Sequence, residues 1–482
     1  MRLPGFVGPS ARSRSKIACD DRTVNLYPEK NDSGTGKAPY TLYRTPGYTA
    51  YCDLGTSSPV RGEYTLNGAT FVVAGDTLYQ LPFTLGGSAT TLATGLANPD
   101  DGPVSMAGNG DGGFQIVIAA GSELYCYDVR SGTLTTIPDI SATVVVFMNA
   151  TFFALDPNSS TLYASATEDG SSWSLLDVAQ RDTSADKILT IARVGTELWA
   201  FGSQTTTPYF DAGATDFPLQ PNPSVFIQRG IAAPWSLVVN ETTPIWLGQG
   251  LDGGNTVYMA QGYLPRAIST NAVEYAISQY ATTTDAEAFM YMEEGHQFYV
   301  LNFPSANATW CYDITEGFWH ERGEFNGLDY DALPIRGQLY VNGLNLVGSR
   351  TTGVVYEQSL EIATETDGTT GIRWLRRYPH LCDEKRRITY CRLELDAEVG
   401  VGLSTTVDAD ADPQVYLHWS DDGGQSFGNV EATSLGAVGE YGTRTIWYML
   451  GQGRDRVFEI YGAAKVITAL IDAYLTIRPG TS

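Results

Sequence analysis

The sequence predicts an all-β protein: a β-propeller with an extended N-terminal arm and a C-terminal β-sandwich-like domain. Three observations carry this. A short strand word recurs along the middle of the chain, the composition favours strands and turns over helices, and the charge texture changes after Gly371.

The word is a turn residue, one or two polar residues, an apolar residue, an aromatic and another apolar residue. It reads GSELYCYD from Gly121 to Asp128, and recurs from Gly75 to Leu81, Gly195 to Phe201, Gly254 to Ala260, Gly295 to Leu301, Gly337 to Val341 and Gly353 to Gln358. With the aromatics as markers, Tyr125 to Tyr163 is 38 residues, Tyr163 to Trp199 is 36, and Tyr258 to Tyr299 and Tyr299 to Tyr340 are both 41. A period near forty with several short strands describes small antiparallel sheets that must bury their faces against neighbours, as propeller blades do. The 59 residues from Trp199 to Tyr258 break the spacing.

At 482 residues, two or three domains are expected, with the propeller the largest at about 300 residues. The 51 Gly and 28 Tyr suit strands and turns, and no fifteen-residue segment keeps a helical apolar period. No apolar run is long enough to span a bilayer and the N-terminus lacks a secretory core, so a soluble chain made in the cytoplasm is expected. Six scattered cysteines without a C-x-x-C pair read as reduced, mostly buried thiols rather than a disulfide framework or zinc site.

The net charge of −24 is uneven. Residues 1–61 carry 9 Lys and Arg against 5 Asp and Glu, residues 62–360 carry 9 against 31, and residues 361–482 carry 12 against 18. An acidic ring repels polyanions, so gripping of nucleic acid by the central region is disfavoured. Simple solubility and a wall past which DNA slides without sticking are both compatible with it.

Residues 1–58 read as the arm, because prolines and glycines punctuate short extended pieces. The aromatics Tyr27, Tyr40, Tyr43 and Tyr48 argue against a disordered tail. Arg12, Arg14, Tyr27 and Pro28 are the expected contacts to other chains, and removal of residues 1–47 is expected to leave the ring folded. The words Leu3-Pro4-Gly5-Phe6, Ser13-Arg14-Ser15, Asn25-Leu26-Tyr27-Pro28-Glu29, Gly36-Lys37 and Thr45-Pro46-Gly47 occur in that order.

In that order they resemble the N-terminus of the packaged-DNA stabilisation proteins, or tail accessory (nozzle or hub) proteins, of short-tailed bacteriophages. The resemblance implies a structural virion protein with no enzymatic activity and no cofactor. It implies a homo-hexameric tube below the portal and its adaptor ring, in contact with the tail tip or needle and tailspike or fibre proteins. It further implies that the tube retains the packaged genome and forms its ejection channel, with double-stranded DNA passing without sequence-specific binding, after assembly in the host cytoplasm.

Residues 59–360 are the expected propeller. Within it, Ala166 to Trp173 is a degraded Asp box, and Ser420 to Phe427 further on is a closer one. Such a box is a hairpin turn whose acid bonds turn amides and whose aromatic plugs the base. Because sialidases are propellers with Asp boxes, a glycan-binding or glycan-degrading tail protein is the alternative. That chemistry needs an arginine cluster and an activated nucleophile, and the few basic residues of the ring show no such grouping. His296, His320, His380 and His418 are isolated in sequence, so no catalytic, cofactor or metal residue is assigned.

Residues 361–482 are the expected sandwich-like domain, with alternating strands between glycine turns. Its start is basic, with Arg376, Arg377, Arg386 and Arg387 prominent, and an acidic stretch follows from Glu394 to Asp412. Docking between identical neighbours is the favoured reading of this pairing, with a solvated face and DNA contact as alternatives.

Overall fold

The computed structural model describes residues 2–480 apart from 34, 182–184, 215–216, 250–253, 379 and 404–408. Seven antiparallel sheets follow one another around an axis. Blade one is Val60–Leu66, Ala69–Ala74, Thr77–Gln80 and Thr90–Thr94; blades two, three and four span 105–141, 144–180 and 188–221. Blade five spans 230–267, blade six is formed by Glu287–Glu293, His296–Phe303, Ala308–Asp313 and Phe318–Arg322, and blade seven occupies 335–359. The innermost strand of blade seven touches that of blade one, so the ring is closed.

Blade two shows why the middle strands are apolar on both sides. Successive residues of a strand face opposite ways. Ile116 and Ile118 therefore pack with Phe71 and Val73 of blade one, while Val117 and Ala119 pack with Phe152 and Ala154 of blade three. The hairpin that follows needs two left-handed residues, and Gly121 (φ 56°) and Ser122 (φ 71°) supply them.

The repeated word marks different strands in different blades. It falls on the third strand of blade two (Glu123–Asp128), the second of blades four (Glu197–Gly202) and six (His296–Phe303), and the first of blade seven (Ile335–Val341). In blades two, four and six the word marks a tight turn before a buried strand, whereas in blade seven Gly337 lies within the innermost strand at its register shift, so the word does not report blade register. The 59-residue gap lies at blade five, whose inner position is split between Gly230–Ile231 and Val238–Asn240 around a 3-10 turn, Pro234–Ser236. The eight-residue helix Asn271–Ser278, capped by the Thr270 side chain accepting from Val273 N–H, joins blades five and six.

Two further sheets form the sandwich. One contains Leu26–Lys30, Tyr40–Arg44, Ala469–Pro479, Ile388–Ala397 and Thr445–Tyr448; the other contains Asp20–Val24, Trp374–Arg377, Asp455–Gly462, Gln414–Ser420 and Glu431–Ser434. Leu26, Leu42, Leu393 and Leu475 of the first meet Trp374, Val415, Leu417 and Ile460 of the second, with Leu3 and Phe6 sealing the same core.

Residues 1–58 are extended but are not a detachable arm. Asp20–Val24, Leu26–Lys30 and Tyr40–Arg44 are sandwich strands, and Gly47–Asp53 pairs with Val354–Ser359 as the outermost strand of blade seven. The aromatics noted in the sequence are there because these strands are core: Tyr27 and Tyr48 are each 2% exposed. Removal of residues 1–47 would therefore take three strands from the sandwich but only Gly47 from the ring.

Both Asp boxes form as expected. Asp169 Oδ1 accepts from Ser171 N–H at 2.9 Å and Trp173 Nε1–H donates to Gly170 O at 2.7 Å. Asp422 Oδ1 accepts from Gln425 and Ser426 N–H, each at 2.9 Å. The cysteines are free thiols, with Cys52, Cys126 and Cys311 buried and Cys382 exposed. Among the described residues no helix is long and apolar enough to cross a membrane.

Candidate functional site

The strand Asp20–Val24 is the hinge of the architecture. Val24 pairs in parallel with Glu321 at the edge of blade six, and Arg22, Thr23 and Val24 pair antiparallel with Arg377, Arg376 and Leu375 of the sandwich. One continuous sheet thus runs from the ring into the second domain.

Charged side chains are buried along this seam, and each is held by partners. Arg22 Nε donates to Glu321 Oε2 at 3.0 Å and its Nη1 to Asp329 Oδ1 at 2.9 Å. Burial opposes its charge, but the two carboxylates outweigh it and raise its pKa above the ordinary arginine value. Arg376, 1% exposed, donates to Phe6 O at 2.6 Å, Gly5 O at 3.0 Å and Thr23 Oγ1 at 2.9 Å. Burial lowers its pKa. Arg377 pairs with Asp20 and donates to Glu459 Oε2 at 2.7 Å, while His418 Nε2 lies 2.7 Å from Glu459 Oε1. Burial pushes the Glu459 carboxyl up, but His418 and Arg377 outweigh it and hold the pKa at about 2. The second Asp box closes this network, since Arg377 lies 4.8 Å from the Phe427 ring centre.

A second group ties Tyr27 to blade six. Its ring packs edge-on to His296 and Phe298 at 5.2 Å each. His296 Nδ1 lies 2.7 Å from Asp313 Oδ2, and that hydrogen bond raises the His296 pKa. His320, fully buried next to them, has its pKa lowered to about 3 by desolvation. Arg322 Nη2 donates to Tyr48 Oη at 2.8 Å and to Pro46 O at 3.1 Å, joining blade six to the strand that closes blade seven.

Four of the residues expected at contacts between chains are thus internal. Tyr27, Pro28, Arg376 and Arg377 are buried and make their contacts within the chain, because they lie on strands sandwiched between ring and sandwich. The other four are on the surface in two places. Arg12 pairs with Asp20 at 3.3 Å, and exposed Arg14 lies 5.9 Å from the Tyr275 ring centre, beside the helix Asn271–Ser278. Arg386 and Arg387 are exposed on a turn of the sandwich, with Arg386 2.9 Å from Glu384.

On the propeller axis, Arg61, Glu63, Trp235, Glu287 and Arg336 line a cavity of about 190 Å³. Arg336 forms a two-pronged pair with Glu287, both bonds 2.8 Å. Glu63 has no hydrogen-bond partner for either carboxylate oxygen among the described residues, and burial pushes its pKa up to about 8. No sequence signal marks Glu63 or the Arg22 cluster, since both depend on neighbours hundreds of residues apart or on the far side of the ring closure.

The architecture now bears on identity. A β-propeller model described as bacteriophage P22 Gp10 matches residues 7–359, and a β-sandwich model described as bacteriophage P22 Gp10 matches residues 373–478. The chain belongs to the P22 Gp10 family. Gp10-family chains are phage structural proteins concerned with stabilising packaged DNA, and this chain is a virion component rather than an enzyme. The two matched Gp10 segments meet the ring and the sandwich, and the first begins at residue 7, ahead of the strands that residues 20–53 lend to both.

Solved structures similar to this Gp10-family chain are distant. The extracellular domain of BT4673 from B. thetaiotaomicron is 10% identical, with a TM-score of 0.43 over 66% of this chain and 40% of that one. This chain therefore spans well under half the length of that relative. The N-terminal domain of Nup159 is 9% identical, with a TM-score of 0.39 over 70% of this chain and 98% of that one. No curated protein matches the chain.

Proposed function

We propose that the protein is the subunit of a hexameric tail nozzle, assembled in the host cytoplasm and seated below the portal and its adaptor ring. In this reading it retains the packaged genome, forms its ejection channel, and carries the tip or needle and spike or fibre proteins beyond it. The observation that carries the proposal is the union of the two family domains through the Val24–Glu321 strand pairing and the buried Arg22 pairs with Glu321 and Asp329. A conduit under pressure from packaged DNA needs subunits whose domains do not swing.

The charge distribution supports the same reading. Residues 62–360 offer 9 cations against 31 acids, so a wall built from them does not hold the duplex by counterion release. The axial cavity of one propeller, about 190 Å³, admits no duplex, so the channel lies between copies and retention is mechanical.

Particles made without the chain test this. They should package DNA and then lose it, read as genomes open to nuclease, and added wild-type chain should restore protection along with a six-copy density below the portal in electron cryo-microscopy. Particles that keep their DNA without the chain, or a chain located elsewhere on the particle, would overturn the proposal.

A further inference from the structure

One end of the sandwich departs from the acidic character of the chain. Exposed Lys385, Arg386 and Arg387 lie on a turn, and exposed Arg454 and Arg478 come from two other strand ends. They are adjacent in space: Arg454 Nη1 donates to Lys385 O at 2.7 Å, Gly480 N–H donates to Arg387 O at 2.8 Å, and Arg478 sits opposite Thr389 in the sheet. The acids of this turn are Asp383 and Glu384, the latter 2.9 Å from Arg386.

Beside these cations stands an apolar pair. Tyr448 is 57% exposed and Met449 89% exposed, and Met449 takes the left-handed conformation at φ 56°. Bonds from Met449 N–H to Cys391 O (3.0 Å) and Leu450 N–H to Tyr390 O (3.1 Å) hold that turn in place. A large side chain presented to water on a left-handed backbone is costly in the isolated chain. Arginine, tyrosine and methionine are also the residue types enriched where proteins meet.

The complementary surface is on the propeller. The hairpins along one of its faces present exposed Asp111 in blade two, Glu168 in blade three, Asp211 in blade four, Glu241 in blade five and Glu294 in blade six. Side chains link these hairpins from blade to blade: Asn149 Nδ2 donates to Asp211 Oδ2 at 2.9 Å and Asn240 Nδ2 to Gln297 Oε1 at 2.8 Å. Two cations on this rim are engaged locally, Arg130 stacked 3.3 Å from the Phe114 ring centre and Arg193 Nε donating to Gly195 O at 3.0 Å, while Arg266 beyond the blade-five hairpin is exposed.

We infer that the basic tip of the sandwich docks head-to-tail on the acidic hairpin face of the propeller of a second copy of the chain. This rests on the assembly of copies proposed above and names the surfaces that make it. The two patches are different surfaces of one molecule, so their pairing is heterologous and is satisfied between copies. A second copy fits better than a nucleic acid, because Met449 and Tyr448 gain burial only against another protein and the acidic face repels a polyanion.

The test uses full-length chains and sedimentation at several salt concentrations. Wild type should associate, more weakly as salt rises. Arg386→Glu/Arg387→Glu/Arg454→Glu, with unchanged melting temperature, should associate about tenfold or more weakly. Glu168→Lys/Asp211→Lys/Glu241→Lys should do the same, and the two reversed variants mixed together should recover association. Met449→Ser should weaken the wild-type contact without altering the salt dependence. Undiminished association of the first triple variant, or no recovery on mixing, overturns the named surfaces while leaving the assembly reading intact. Wild type that stays monomeric overturns both. Binding of a short DNA duplex by wild type, abolished in the tip variant, would also overturn the inference.

Discussion

Val24 lies in parallel register with Glu321, and through that pairing the edge of blade six becomes the sandwich. Two residues away on the same strand, Arg22 clamps the same glutamate and Asp329. Blade six and one sheet of the sandwich are therefore a single sheet, and the consequences are mechanical as well as energetic.

Arg22→Ala should destabilise the protein by about 3–5 kcal/mol, because it strands the half-buried Glu321 without its cation. Chemical denaturation followed by tryptophan fluorescence checks this. The wild type should unfold in one transition, since the Val24–Glu321 pairing and the Arg22 pairs with Glu321 and Asp329 couple the ring to the sandwich. Two well-separated transitions, or a loss below about 1 kcal/mol in the variant, would contradict the seam as described.

Deletion of residues 1–47 should abolish the soluble fold. It removes Asp20–Val24, Leu26–Lys30 and Tyr40–Arg44 from the sandwich and truncates the strand that closes blade seven. Circular dichroism and exclusion chromatography of the truncated chain report it, and a folded, monodisperse product would refute the topology.

Stability should fall as pH rises from about 4.5 to 8 on account of Glu63. Burial raises its folded pKa from 4.5 to about 8, so in that window the folded state holds a proton that the unfolded state has released. The full effect is present below pH 4.5 and is gone above 8. His320 acts with the same slope in sign reversed: its folded pKa of about 3 means the unfolded state binds a proton first, so stability falls on acidification below about 6.5. Each contributes up to about 1.4 kcal/mol per pH unit inside its window. Glu63→Gln should flatten the alkaline side of a melting-temperature profile and leave the acid side unchanged.

The full-length chain should not retain duplex DNA at physiological salt, given 9 cations against 31 acids in residues 62–360. The whole chain is the right material, because a fragment starting at residue 59 lacks the strand Gly47–Asp53 that closes the ring. A gel-shift that weakens steeply with added salt would refute this.

The sequence by itself determined the all-β class, the propeller, the sandwich and the Asp boxes. These follow from local rules: a turn before each doubly buried strand, alternation along it, and an acid that bonds its own turn amides, all written within a few residues of one another. Only the tertiary structure decided the blade count, which strand of a blade each repeated word occupies, and that residues 20–53 belong to both domains. It also decided that Tyr27, Pro28, Arg376 and Arg377 face inward, while Arg386 and Arg387 face outward with Arg454 and Arg478. Strand pairing depends on which edge is left open once distant segments have folded. Val24 and Glu321 meet across nearly three hundred residues, and no spacing within either segment encodes the partner.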